Sequence, residues 1–309
     1  MSPQPPRTAP PAPFGRVLSA MVTPFDAVGH LDTDKAAALA TFLVDEAGHD
    51  GLVVSGTTGE SPTTTDTEQD ALLRAVVEAV GDRARVVAGV GTNDTAHSQQ
   101  LATAAEKAGA HGLLAVTPYY SKPPQAGIVA HFRAIADATK LPVMLYDIPG
   151  RTGTKLAADT LATLAEHDRI VAVKDASGDL YAGSGLMAST DLAIYSGDDA
   201  LNLAWLALGA VGVVSVVAQV AGLRYRGLVD AVHDGDLPAA RAVDRSLLPA
   251  VTAIMTRTQG AIMVKAALQL QGRLPNRVVR PPLVEATPAQ VEELRRDLAG
   301  GGLLEGTPS

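Results

Sequence analysis

Cysteine is absent from this chain of 309 residues. Its absence excludes disulfide bonds, a thiolate nucleophile and a zinc–thiolate site. Histidine is scarce as well: the seven histidines are scattered along the chain, with no His-x-x-x-His pair. A metal-dependent enzyme therefore has little support from the sequence.

Basic charge is also in short supply, because 25 Lys and Arg residues face 33 Asp and Glu residues, for a formal net charge of -8. No basic stripe is visible, so a nucleic-acid partner is excluded. No secretory signal is visible either, since residues 1–13 hold six prolines and no apolar run. We interpret residues 1–14 as a disordered Pro-rich tail and expect a cytoplasmic protein.

Long uninterrupted apolar segments are missing too. Residues 200–223 carry no charge and would be long enough to span a membrane. However, glycine and polar residues interrupt this run. We therefore expect a buried helix, a turn and a buried strand, and no membrane partner.

Short apolar runs alternate with helical patterns along most of the chain. The predicted strands are residues 17–22, 52–54, 85–88, 112–116, 142–146, 170–174, 192–195 and 211–216. Regular alternation over about 200 to 250 residues favours a (β/α)8 TIM barrel. An open doubly wound sheet is the alternative, but no G-x-G-x-x-G follows the first strand. We expect a catalytic barrel over residues 15–236 and a C-terminal helical extension over residues 237–309.

The sixth predicted strand ends in Lys174, after an apolar run typical of a strand buried on both faces. A lysine held there loses ammonium hydration, which lowers its pKa and frees the amine as a nucleophile. Schiff-base chemistry on a carbonyl substrate requires such an amine. Taken alone, Lys174 is better explained as a strand-end side chain that reaches solvent or pairs with Asp175, and the other strand ends are needed to overturn that explanation. Of the other six lysines, only Lys265 lies in a strongly apolar run, and its pattern is helical.

The ends of the predicted strands carry hydroxyls, one lysine, one arginine and glycine-rich backbone. In barrels of this type the chemistry lies at these C-terminal strand ends. The segments are Thr23, Gly56-Thr57-Thr58-Gly59-Glu60, Thr117-Pro118-Tyr119-Tyr120, Tyr146-Asp147-Ile148-Pro149-Gly150-Arg151, Lys174 and Ser196-Gly197-Asp198-Asp199. The set suits a substrate with carbonyl and carboxylate groups. Individually, each segment is also explained as a turn, an interface aromatic, a core residue or a solvated charge.

In combination these segments are far more specific. Residues 56–61, Tyr119-Tyr120, the Tyr-x-x-Pro-x-Arg of residues 146–151 and Lys174 resemble the pyruvate-dependent Schiff-base (class I) aldolase and N-acetylneuraminate lyase family. Within that family they are most similar to the dihydrodipicolinate synthase branch, over residues 17–298. The resemblance implies a lyase of lysine and diaminopimelate biosynthesis, which joins pyruvate to L-aspartate 4-semialdehyde without a cofactor or a metal.

The resemblance also implies which residues carry the reaction. Lys174 would form the imine with pyruvate. A hydroxyl relay would consist of Tyr146, Thr58 and Tyr120, with Tyr120 reaching in from a neighbouring subunit. Hydroxyls both donate and accept hydrogen bonds, so such a chain passes a proton in either direction. A homotetramer, arranged as a dimer of dimers, is implied by the same resemblance.

Substrate binding is implied at a further set of positions. Thr57, Thr58 and the backbone around them would hold the pyruvate carboxylate through fixed donors. Arg151 would hold the carboxylate of the second substrate, because its planar fork gives orientation as well as charge. Gly197 and Val214 carry over as further substrate-binding positions.

One residue departs from the family pattern, and other functions stay open. Asp147 stands where many relatives carry asparagine. The nearest alternative is a 2-keto-3-deoxy sugar-acid aldolase or an N-acetylneuraminate lyase, although such relatives generally lack the arginine found here at Arg151. A non-catalytic paralogue that only binds a ligand is the second alternative.

Overall fold

The computed structural model describes residues 10–304. Eight parallel strands close into a barrel in which each strand pairs with the next and β8 pairs with β1. The strands are β1 (Val17–Ala20), β2 (Gly51–Val54), β3 (Arg85–Gly89), β4 (Gly112–Val116), β5 (Val143–Asp147), β6 (Ile170–Asp175), β7 (Ala193–Ser196) and β8 (Gly212–Ser215). The predicted (β/α)8 TIM barrel is thereby confirmed.

Helices surround the barrel and extend beyond it. They are α1 (Thr33–Asp45), α2 (Asp66–Val80), α3 (Thr95–Lys107), α4 (Gln125–Asp137), α5 (Pro149–Thr152), α6 (Ala158–Ala165), α7 (Leu180–Ser189), α8 (Asn202–Leu208), α9 (Ala218–His233), α10 (Leu237–Met255), α11 (Gly260–Leu270) and α12 (Pro288–Gly300). Capping side chains mark the N-terminal ends of several helices. Thr65 and Glu68, for example, form a capping box at the start of α2, which stabilises a helix by about 1 kcal/mol.

The strands bury both faces, which explains their nearly continuous apolar sequence. Inward side chains form one cluster inside the barrel, and outward side chains pack under the helices in a second cluster. Along β6, Ala172 belongs to the interior cluster and Val173 to the outer one. Because side chains alternate along a strand, Lys174 shares the inner face with Ala172, at the C-terminal end of the barrel.

Phe14 closes the N-terminal end of the barrel. Its side chain is completely buried, its ring centroid lies 6.4 Å from that of Tyr195, and its backbone N–H donates to the Tyr195 hydroxyl at 3.2 Å. The structure thus differs from the predicted tail at residue 14, because this aromatic side chain fills the bottom of the core. Residues 1–9 of the predicted tail lie outside the described residues.

The uncharged run of residues 200–223 folds as α8, β8 and the first turns of α9. The expected helix, turn and strand are present, but the sequence analysis did not predict α9. Ala221 has non-helical φ and ψ angles inside α9, which obscures the helical pattern there. Within residues 10–304 no single helix combines the length and apolarity needed to cross a membrane; α10 and α11 meet that test only as a pair bent by 115°.

The C-terminal helices attach to the barrel through a buried ion pair. Lys265, on α11, donates from Nζ to Glu60 Oε1 at 2.5 Å and to the Val278 carbonyl at 2.7 Å. Glu60 ends the Gly-Thr-Thr-Gly turn that follows β2, and its second oxygen accepts from the Arg280 backbone N–H at 2.8 Å. The helical extension therefore holds a turn at the C-terminal end of the barrel.

Candidate active site

Lys174 lies beside Tyr146 at the C-terminal end of the barrel. The register of β5 and β6 pairs these two residues directly. The Lys174 side chain is only 5% exposed, and its Nζ lies 4.2 Å from the centroid of the Tyr146 ring. The strands thus hold an amine and a phenol in contact, away from bulk water.

The surroundings of Lys174 favour its neutral amine. Burial lowers the pKa of Lys174 to about 8; the Asp199 carboxylate opposes this shift, and the Arg151 guanidinium adds to it. At pH 7 a lysine with this pKa is about one-tenth neutral amine, more than about a hundredfold above the amine fraction of an exposed lysine. The site therefore meets the first requirement for a nucleophile that attacks a carbonyl.

Tyr146 keeps its proton under the same conditions, because burial raises its pKa to about 12. The Thr57 side chain lies near enough to the phenol to act on the Tyr146 pKa in the opposite direction. The predicted relay joined Tyr146 to Thr58, and the nearness of Thr57 makes that side chain a second candidate for the same place.

The Gly-Thr-Thr-Gly turn presents backbone donors at the mouth of the barrel. Ser55 and Glu60, on either side of it, both have positive φ angles, of 56° and 55°. The Glu60 N–H donates to the Thr57 carbonyl at 3.2 Å, whereas the N–H groups of Thr57 and Thr58 find no acceptor within residues 10–304. Thr58 is itself buried. Successive N–H groups in such a turn form a concavity that suits a carboxylate.

Two of the remaining predicted residues lie against this centre. A Cβ at Gly197 would stand 2.8 Å from Cγ and 2.9 Å from Cε of Lys174, so only glycine lets the loop after β7 pack on the lysine stem. Val214 lies on β8, inside the barrel, in the interior cluster that also contains Tyr146. Both positions are therefore close to the Lys174–Tyr146 pair.

Arg151 and Tyr120 occupy the rim. Arg151 lies in α5, directly after β5, and is exposed. Its charge is nonetheless near enough to lower the pKa values of both Lys174 and Tyr146. Tyr120 is 88% exposed and has a φ of 74°, which is uncommon for a residue with a side chain. Its own subunit leaves this aromatic ring almost uncovered.

The loop that carries Tyr120 is tied to Tyr146, a connection that sequence reasoning missed. Thr117 donates from its backbone N–H at 3.0 Å and from its hydroxyl at 3.1 Å to the Tyr146 carbonyl. Thr117 directly follows a predicted strand, and this position is the sequence signal that could have pointed to the connection.

Asp147 and Asp175 form a second pair, on the outer face of the barrel. They are register partners, one residue after Tyr146 and Lys174. Burial and the nearby Asp175 raise the pKa of Asp147 to about 7, although the Leu156 N–H donates to its carboxyl at 3.3 Å. Since side chains alternate along a strand, this carboxyl faces the helices and not the candidate substrate site.

Within residues 10–304, no group of three or more His, Cys, Asp or Glu side chains is arranged to hold a metal ion. The candidate site residues at the mouth of the barrel supply an amine, several hydroxyls and a guanidinium, with the Asp198 and Asp199 carboxylates within electrostatic range. They suit covalent and acid–base chemistry on a carbonyl compound that carries carboxylates.

Comparisons with known proteins agree with this arrangement. The sequence profile of the dihydrodipicolinate synthetase family matches residues 13–300. The 4-hydroxy-tetrahydrodipicolinate synthase of Kineococcus radiotolerans is 65% identical over 291 residues, which cover 94% of each chain. Dihydrodipicolinate synthase from Cyanidioschyzon merolae, solved with lysine bound, is 42% identical with a TM-score of 0.91, covering 94% of this chain and 99% of that one. The chloride-inhibited dihydrodipicolinate synthase from Acinetobacter baumannii, complexed with pyruvate, is 33% identical with a TM-score of 0.89, covering 94% and 99%.

Proposed function

Because the chain belongs to the dihydrodipicolinate synthetase family, we propose that it is a 4-hydroxy-tetrahydrodipicolinate synthase. This lyase condenses pyruvate with L-aspartate 4-semialdehyde, in the biosynthesis of diaminopimelate and lysine. The observation that carries the proposal is the buried Lys174, 4.2 Å from the Tyr146 ring and with a pKa lowered to about 8.

The reaction begins at the Lys174 amine. Nζ attacks the keto carbon of pyruvate, a C–N bond forms, and the keto oxygen leaves as water after gaining protons. The resulting iminium loses a methyl proton and becomes an enamine. The enamine carbon attacks the aldehyde carbon of the second substrate, and the amino group of that substrate then displaces Lys174 as the ring closes. One water is released overall.

Proton transfers in these steps need a relay, since no histidine lies among the proposed site residues. Tyr146 is protonated at neutral pH, and the Thr57 side chain lies near its hydroxyl. We assign the relay to Tyr146, Thr57 and Tyr120, with Thr57 in the place first predicted for Thr58. Each hydroxyl accepts one proton as it donates another, so no charge accumulates on the relay hydroxyls.

The two carboxylates are bound at different places. The free N–H groups of Thr57 and Thr58 would hold the pyruvate carboxylate, with Val214 and Gly197 bordering the methyl and imine positions. Arg151, exposed at the rim, would hold the carboxylate of the semialdehyde in a bidentate manner. An arginine here favours the synthase over the sugar-acid aldolases, whose substrates present hydroxyls at this end.

Tyr120 would complete the active site of a second copy of the chain. Its ring is almost fully exposed in its own subunit, although its loop is tied to Tyr146 through Thr117. If the Tyr120 ring enters the active site of a neighbouring subunit, both its exposure and the positive φ angle of its backbone are explained. At least a dimer is then needed for activity, and we propose a homotetramer built as a dimer of dimers.

A coupled assay tests the proposal. The chain is incubated with pyruvate and L-aspartate 4-semialdehyde, and a nicotinamide-dependent reductase that consumes the product reports turnover. We expect cofactor oxidation that depends on both substrates and is lost in Lys174→Ala. Cleavage of N-acetylneuraminate or a 2-keto-3-deoxy sugar acid without synthase activity would contradict it, as would binding of pyruvate without any turnover.

A further inference from the structure

We propose that Asp199 is a positioning residue for Lys174, which anchors the loop that packs on the lysine stem and places a carboxylate within electrostatic range of the lysine nitrogen. This inference rests on the proposed function and assigns a role to a residue outside the predicted site. Asp199 does not contact substrate in this proposal; it acts through Lys174.

Asp199 is a buried carboxylate with both oxygens fully engaged. Oδ1 accepts from the Ser215 hydroxyl and from Asn202 Nδ2, the latter at 3.1 Å. Oδ2 accepts from the backbone N–H groups of Val216 at 2.9 Å and Val217 at 3.1 Å. Four donors, from β8, from α8 and from the loop between β8 and α9, hold this carboxylate in one orientation.

The anchored loop reaches Lys174 two residues earlier, at Gly197. The Gly197 N–H donates to the Asp175 carbonyl at 2.7 Å, and its Cα lies against the lysine stem so closely that a Cβ would meet Cγ and Cε. Asp199 therefore ties the end of β8 to the loop that confines the lysine. Without this tie, the lysine stem gains room to leave its attacking position.

The charge of Asp199 matters because the reaction passes through a cation. Lys174 becomes an iminium in a buried setting, where an unpaired positive charge is costly. Three groups surround the charge at this nitrogen. Tyr146 from β5 is neutral, Arg151 from α5 is positive and Asp199 is negative. The Asp198 carboxylate in the same loop contributes to the raised pKa of Tyr146. Asp199 is thus the carboxylate that offsets the positive charge at the lysine nitrogen.

An isosteric neutral variant should be tolerated at this position. Asn202 Oδ1, beside Asp199, is a buried oxygen without a hydrogen-bond donor within residues 10–304. In Asp199→Asn, the new amide N–H₂ replaces one acceptor oxygen. Rotation of the Asn202 amide would present Oδ1 to that N–H₂, so the cluster stays hydrogen-bonded while the charge disappears.

The test measures the pH dependence of imine formation. Pyruvate and cyanoborohydride are added to the full chain at pH 5.5 to 9.5, and the rate of reduced adduct formation on Lys174 is followed by peptide mass spectrometry. We expect the midpoint of the acid limb in Asp199→Asn to fall by about 0.5 to 1 pH unit, because loss of the anion lowers the lysine pKa. Asp230→Asn, which removes a half-exposed carboxylate on α9, is the matched control and should not move it.

A midpoint in Asp199→Asn that coincides with the native one overturns the charge role. If Asp199→Asn does not fold, Ser215→Ala tests the positioning role instead, because it removes one hydrogen-bond donor to Asp199 and keeps the carboxylate. We then expect an unshifted midpoint and an adduct rate at least about threefold lower, as the loop loosens; an unchanged rate overturns the proposal. Absence of any adduct in the native chain would instead contradict the proposed function, so the two failures are distinguishable.

Discussion

At the scale of single residues, two adjacent threonines at the mouth of the barrel have different surroundings. The Thr57 side chain lies near the Tyr146 phenol, whereas Thr58 is buried within the turn. We predict that Thr57→Val lowers kcat by about 10²-fold or more, because the relay loses its middle hydroxyl. Steady-state kinetics with both substrates measure this effect.

The neighbouring substitution is the control. Thr58→Val keeps the backbone N–H groups that would hold the pyruvate carboxylate, so we expect mainly a higher KM for pyruvate and a smaller loss of kcat. A larger kcat loss in Thr58→Val than in Thr57→Val would restore the relay first predicted from the sequence and refute the present one.

Asp147 makes stability depend on pH. Its folded pKa of about 7 lies above the value of about 3.9 for an unfolded chain, so folding favours the protonated form. Stability is therefore lost as the pH rises from about 4 to about 7, by at most about 4 kcal/mol. We predict that Asp147→Asn is more stable than the native chain at pH 8, on the order of 1 to 3 kcal/mol, with a smaller difference at pH 5.

Thermal or urea unfolding of both proteins at the two pH values checks this prediction. The asparagine carbonyl still accepts the Leu156 N–H, so the comparison isolates the charge. Equal differences at pH 5 and pH 8 would show that Asp147 does not titrate in this range.

At the scale of elements, α11 holds the turn after β2 through Lys265 and Glu60, both with side chains only 1% exposed. Removal of one partner leaves the other as an uncompensated buried charge. We predict that Lys265→Met lowers the free energy of unfolding by about 3 to 5 kcal/mol. Urea unfolding at pH 7 measures it.

An exposed ion pair provides the contrast. Arg74 and Asp70 lie one turn apart on α2, with Arg74 Nε 2.8 Å from Asp70 Oδ2. Arg74→Met should cost less than about 1 kcal/mol, because solvent screens such pairs. Similar losses in Lys265→Met and Arg74→Met would mean that the buried pair does not anchor the C-terminal helices.

The elements of the barrel were predictable because their signals are local. Each strand is a short apolar run bounded by turn residues, and β4 has the predicted bounds of residues 112–116. The α9 helix was missed because its first turns continue an uncharged run and its geometry breaks at Ala221. Phe14 was assigned to the tail because nothing near it in sequence reveals that it fills the bottom of the barrel.

Site residues were predictable only where a motif marks them. Lys174 and Tyr146 end apolar strands, so their meeting at the barrel mouth follows from strand order. The choice between Thr57 and Thr58 depends on side-chain direction in a turn with positive φ angles, which residue spacing does not specify. Asp199 finds its main partner, Ser215, 16 residues later, and such contacts have no local signature.

At the scale of the whole molecule, activity should require two copies of the chain. We predict that Tyr120→Phe retains the fold and loses most turnover, as does Lys174→Ala. When the two inactive variants are unfolded together and refolded as a mixture, each mixed pair regains one site with an intact Lys174 and the partner's Tyr120. Random pairing then restores about a quarter of native activity.

As a control, the two variants are refolded separately and then mixed, which shows whether subunits exchange between assembled oligomers. Recovery of activity by co-refolding would support sharing of Tyr120 between subunits. No recovery, in proteins whose size-exclusion profiles match the native one, would place the Tyr120 hydroxyl in its own subunit's site or outside the site altogether.

The most direct measurement is borohydride reduction in the presence of pyruvate, followed by peptide mass spectrometry of the whole chain. Because Lys174 is buried against Tyr146 and has a pKa near 8, we predict one reduced pyruvyl adduct, located on residue 174. The same treatment without pyruvate should leave that peptide unmodified. An adduct on any of the other lysines, or no adduct at all, would contradict the Schiff-base mechanism.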